Sequence, residues 1–360
     1  MTRLPGDTTL TPWRAALAVR WLILKRRYGS PLEAVLVLVG CLFASWLGGK
    51  LHARLGPVVA AALLSACEPV TSPIPVHRPA SLVTEPVPFE PSEESLAYAR
   101  YYEGVQARLL AQGLLRTDGG GPDTPIIARN LVANFERIAL YDEYTFSGGR
   151  FVAQQTPAVL RRWERPVRLQ PHFGASVSEE IRDADRAVLS DYADRLARVT
   201  GQDIRAVGSG GNFHVLYLNR DEQIAAGPLL REIMPSLGEA TINEITSLPR
   251  FNFCSVYSVS EASNPNVYVA AIAIIRTEHP DLLRRSCVHE EVAQGLGLPN
   301  DSPTARPSIF NDDEEFALLT TQDELLLNML YDPRLSPGMT PDEARPILRE
   351  LADALVGGPS

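Results

Sequence analysis

Nine apolar residues in succession, Val267 to Ile275, lead into a helix-forming stretch that ends in Gly297-Leu-Pro-Asn-Asp301. A run of that kind reads as a strand, and the glycine and proline mark where the following helix stops. Earlier strand-like stretches lie at 150–153, 165–170, 204–207, 213–218 and 251–259. The glycine run at 208–211 between two of them predicts a hairpin. It lacks the Gly-Lys-Ser/Thr ending of a phosphate loop. Helical patterning begins near Leu96 and stops at the glycines 119–121, and a second helix is predicted over 125–141. Ser176 and Glu179 have capping-box spacing. They precede apolar positions Ile181, Ala184, Val188, Tyr192, Leu196 and Val199 at helical spacing, which Gly201 closes. Strands grouped before and between helices predict an α+β domain with one mixed sheet, preceded by N-terminal helices.

Charge divides the chain. Residues 1–66 hold 8 Lys/Arg against 2 Asp/Glu, whereas the rest holds 26 basic and 41 acidic residues. An acidic body argues against nucleic acid as a partner, because phosphate binding needs a basic face. With 45% hydrophobic residues a sizeable core is available.

The basic start has the features of targeting sequence. Residues 51–67 read LHARLGPVVAAALLSAC, a short basic region, an apolar run and small residues before a cysteine. This resembles a bacterial lipoprotein signal, which implies cleavage before Cys67, lipid on its sulfur and a place on the periplasmic side of the cell envelope. The alternative is a short buried helix that ends in cysteine. A second apolar stretch at 34–48 is short for a membrane span. With its basic flank inside it would leave Cys67 on the wrong side for lipidation. Residues 1–50 are therefore expected to be either an extension upstream of the true start or a short membrane segment. Residues 68–95 carry seven prolines and no apolar period, the composition of a tether. The folded domain is expected over 96–355. Of the four cysteines, Cys254 and Cys287 remain for the domain, either as a disulfide or as two buried thiols.

The string EEVAQGLGLPND, residues 290–301, holds the most specific pattern. It resembles the long zinc-peptidase signature of the metzincins, whose His, Glu, His, Gly and His fall at spacings of one, three, three and three. Starting at His289, only the first pair fits. Starting at Glu290, the general-base position is Glu291 and the turn glycine is Gly297, while Glu290, Gln294 and Asn300 stand where that family has histidines. Pro307 to Phe310 resembles the metzincin Met-turn, with Phe310 in place of methionine, and Thr320 to Tyr331 resembles its C-terminal helix. More closely, Cys287 to Asp301, Asn130 to Tyr144 and Leu160 to Arg168 are similar to the bacterial DUF2927 family, a zincin-like group without an assigned activity.

The resemblance implies a zincin-like mixed sheet with an active-site helix. It offers Glu290, Gln294 and Asn300 as metal positions, Glu291 as base if the site is active, and Gly297, Asp301 and Phe310 as structural residues. Glu290 and Gln294, four apart, share a helix face. One carboxylate and two amides are poor zinc ligands and suit a hard divalent metal better. Without zinc to lower the pKa of its water, Glu291 has little to activate. Glu290 and Glu291 point roughly 100° apart on a helix and are not expected to form an acid/base pair. The competing reading is a buried hydrogen-bond network that holds helix to turn. His172, His214 and His279 are scattered, Ser209 and Ser286 lack a nucleophile elbow, and the acidic run 311–315 reads as a solvated loop. The function this supports is a lipid-anchored envelope protein that binds or scaffolds another envelope protein or peptide. The alternative is a divergent metal-dependent peptidase.

Overall fold

The computed structural model describes residues 89–147 and 150–357. Cys67, the predicted signal and the tether as far as residue 88 lie outside them. Ser92 accepts from the Ser95 N–H and starts α1 (Glu93–Ala111), so the last tether residues already belong to the fold. Ser92 also donates to Asp221, and the Ser95 hydroxyl donates to Glu278.

The chain continues through α2 (Ala128–Ala139), the hairpin β1 (Tyr141–Ser147) and β2 (Arg150–Pro157), then β3 (Arg162–Trp163), β4 (Val167–Phe173) and α3 (Glu179–Thr200). After β5 (Ile204–Ala206) and β6 (Phe213–Leu218) come three short helices, α4 (Arg220–Ile224), α5 (Gly227–Ile233) and α6 (Glu239–Ser247). A second hairpin, β7 (Cys254–Glu261) and β8 (Asn264–Arg276), leads to α7 (Asp281–Gly297), and α8 (Thr321–Leu330) and α9 (Pro341–Val356) follow. The α+β expectation holds, and besides the mixed six-stranded sheet there is a separate two-stranded sheet, the β1–β2 hairpin. The helix 320–331 is not the last: α9, with its own Thr340–Glu343 capping box, packs on α2.

Tyr268 of β8 pairs with Ser260 of β7 and with Trp163 of β3, which places these two strands on opposite edges of β8. In space the strands therefore run β7, β8, then β3 and β6 in line, β4 and β5. All are parallel except β7. Side chains alternate across the sheet. Phe213, Val215, Tyr217, Ala271, Ala273 and Ile275 face the main core with α3 and α7, while Leu216, Leu218, Ile272 and Ile274 face a smaller core under α5 and α6. With helices on both faces, β8 is apolar throughout its second half.

Two local expectations are corrected. Residues 204–218 do not form a hairpin, because β5 and β6 both run parallel to β4 on opposite sides of it. The glycine run steps across β4: the Gly211 N–H donates to the Gln170 side chain, and a Cβ on Gly211 would collide with that side chain. A glycine-rich crossing and a glycine-rich turn have the same composition. At α3 the cap is Ser178, whose hydroxyl accepts from the Ile181 N–H, while Ser176 bonds Glu222. Gly201 closes α3 with φ 70°, as expected.

Candidate functional site: the carboxylate pocket on α7

Two glycines of α7 sit where a side chain would collide with the sheet or with the segment before β3. A Cβ on Gly295 would collide with the Phe213 ring, and the Gly295 carbonyl accepts from the Trp163 indole at 2.8 Å. Gly297 adopts φ 129°, where a Cβ would meet the Arg161 carbonyl oxygen, so the exit from the helix demands glycine. Arg284 forms a buried ion pair with Asp185 of α3 at 3.1 Å.

The two sides of α7 have different chemistry. His289 packs flat on Tyr192, and its Nδ1 accepts from the Leu319 N–H at 3.1 Å. Burial first, then Arg195 and Arg285, lowers its pKa to about 3, so this imidazole stays neutral. It is a packing residue.

Cys287, Glu290 and Glu291 share the other face, as spacings of three and four require. Cys287 is disulfide-bonded to Cys254 at the start of β7. Beside that bridge, one oxygen of Glu290, one of Glu291 and the Cys254 sulfur lie within 4.8 Å of one another. The adjacent glutamates therefore do converge, against the expectation from helix geometry, because their long side chains reach across the angle between their Cβ atoms. They line a cavity of about 190 Å³ with Phe251, Phe253, Leu283 and Glu314. Glu291 is 4% exposed, and its Oε2 has no hydrogen-bond partner among the described residues. Burial, then Glu291, Asp301 and Glu314, raises the Glu290 pKa far above the usual range; burial, then Asp301, does the same for Glu291.

The other two register positions do not join them through their amide nitrogens. Gln294 Nε2 donates to Asp301 Oδ1 at 3.2 Å. Asn300 Nδ2 donates to the carbonyls of Ile138 and Tyr141, at the end of α2 and the start of β1. Phe310 is buried in the main core, and its turn is held to α8 by Asp323, which accepts from the Ser308 hydroxyl and the Ile309 N–H. Zinc fits this donor set poorly. The Cys254 sulfur is not a thiolate, His289 is committed to Leu319, and the available donors are carboxylate oxygens.

Glu314 is the residue that sequence reasoning missed. The acidic run is only partly a solvated loop: Asp312 and Asp313 are exposed, Glu315 pairs with Arg306 and Arg116, and Glu314 turns into the pocket. Its backbone takes φ 57°, rare for a residue with a side chain, and its carbonyl accepts from Leu115 N–H. Burial, then Asp312 and Asp313, pushes its pKa up to about 7. A larger cavity, about 470 Å³ between α2 and α9, has Arg345 paired with Glu136 and lacks a comparable cluster. His172 and His214 contact each other at 2.9 Å on β4 and β6, away from the pocket lining. Among the described residues no helix is long and apolar enough to cross a membrane.

Fold and site together define an α+β domain whose central helix carries a carboxylate-lined pocket sealed at one side by a disulfide. The family model described as "Protein of unknown function (DUF2927)" matches residues 128–350, more than half of the chain, and the chain belongs to that family. No curated protein and no solved structure matches it.

Proposed function

We propose that this is a cell-envelope protein, anchored by lipid on Cys67 at the periplasmic side, whose metzincin-like domain binds a protein or peptide without hydrolysing it. The observation that carries the reading is the commitment of two register positions: the amides of Gln294 and Asn300 donate to groups of the domain itself. A three-ligand zinc centre is thereby replaced by bonds that tie α7 to the turn after it and to α2. In support of peptide binding, β7 pairs along one edge only among the described residues, beside the pocket. Such an edge can accept an extended segment by strand addition. The order of sheet, helix, proline turn and helix follows the metzincin order.

A metal-dependent peptidase with Glu291 as base is the second reading. It is favoured by the position of Glu291, buried in a pocket with an oxygen that has no hydrogen-bond partner among the described residues. Hydrolysis of a mixed peptide pool separates the two. The binding reading expects the same background cleavage from the native protein and from Glu291→Ala, and cleavage lost in the variant would overturn it.

A further inference from the structure

We propose that the α7 pocket is a site for one hard divalent cation of the calcium class, held by Glu290, Glu291 and Glu314. These are not the three register positions, since Gln294 and Asn300 are replaced by the second helix glutamate and by a residue of the 311–315 loop. The proposal does not depend on whether the domain hydrolyses peptides.

Three observations meet here. The first is convergence: carboxylate oxygens of Glu290 and Glu291 lie within 4.8 Å of each other, and Glu314 lines the same cavity of about 190 Å³. That space holds an ion and several waters at about 30 Å³ each. The second is the orphaned Oε2 of Glu291, in a residue 4% exposed, buried with neither a hydrogen bond nor bulk water. A buried acceptor without a partner is destabilising, and an ion at this spot would remove that penalty. The third is the sign of the surroundings. The cavity is lined by Glu290, Glu291 and Glu314, and among the described residues no arginine or lysine lines it. Buried Asp185, by contrast, has Arg284 as a cationic partner.

Donor chemistry selects the ion. The sulfur nearest the glutamates, Cys254, is bonded to Cys287 and offers no thiolate, which leaves oxygen donors alone. Carboxylates with open positions for water suit calcium or manganese, whereas zinc favours imidazole and thiolate. Three carboxylates around one ion, two of them on one rigid helix, suggest affinity on the order of 10⁻⁵ to 10⁻³ M.

The test is calorimetric titration of the purified full-length protein with calcium chloride and, separately, with zinc chloride, at constant ionic strength. The expected result is one calcium per chain, bound more tightly than zinc. Affinity should fall at least tenfold in Glu291→Gln and severalfold in Glu314→Gln, with no change in the exposed control Glu180→Gln on α3. Thermal unfolding of each variant confirms that it is folded. No saturable calcium binding up to about 10 mM, well beyond the weakest protein sites, would overturn the proposal. So would equal affinity in Glu291→Gln and the native protein, or a preference for zinc.

Discussion

The Tyr192 ring lies flat against His289, centroids 4.0 Å apart, and its hydroxyl donates to the His289 carbonyl at 2.7 Å. The most conspicuous histidine of α7 is thus fixed from two sides by α3 and by the Leu319 N–H. His289→Ala should destabilise the fold by roughly 2–4 kcal/mol, from the cavity and the orphaned N–H together. Chemical denaturation measures this. Because the folded pKa of about 3 lies below the unfolded value, acid protonates the unfolded chain first. Stability owed to this residue is therefore lost as pH falls from about 6.5, and that loss should be absent in the variant.

Glu314 has the opposite sign. Its folded pKa, raised to about 7, means that the unfolded chain releases this proton near pH 4.5 while the folded chain keeps it. Stability therefore declines as pH rises from about 4.5 to about 7. Glu314→Gln is expected to be more stable than the native protein at pH 8 by about 1 kcal/mol, after allowance for solvent screening. Near pH 4 the two should be equal. Melting curves at the two pH values, without divalent cations, check this.

Two glycines with left-handed backbones should differ in their tolerance. Gly201 at the end of α3 has open space around it, so Gly201→Ala costs about 1 kcal/mol of backbone strain. At Gly297 the added methyl group meets the Arg161 carbonyl as well, so Gly297→Ala should cost more than about 3 kcal/mol or prevent folding. Comparable losses at the two sites, read from denaturation midpoints, would contradict the close seating of α7.

The Cys254–Cys287 bridge spans 33 residues and ties the edge strand to α7. Loop-closure entropy for that length corresponds to about 3–4 kcal/mol. The double variant Cys254→Ser/Cys287→Ser should lose about that much stability in denaturation, and a reductant should lower the native protein's melting temperature but not the variant's.

Local patterns in the sequence sufficed for α3, for β8 and for the glycine exit of α7, because spacing and turn chemistry decide them among neighbouring residues. What escaped depends on distant contacts. The crossing at 208–211 reads as a hairpin until β4 is known to pass beneath it. Nothing near Asn300 signals that its amide reaches Ile138, 162 residues away. Glu314 belongs to an acidic run of four, 312–315, and only the fold decides which of those residues turns inward. Reading the helix in register drew attention to Glu290 and Glu291, but gave no sign that Glu314 of the following loop lines the same cavity.

Zinc stoichiometry tests the central claim most directly. The full-length protein would be incubated with excess zinc, dialysed against metal-free buffer and analysed by atomic emission. Well under one zinc per chain is expected, unchanged in Gln294→Ala and Asn300→Ala. One tightly held zinc per chain, lost in either variant, would show that these amides leave their internal partners to complete a metal centre, and would contradict that claim.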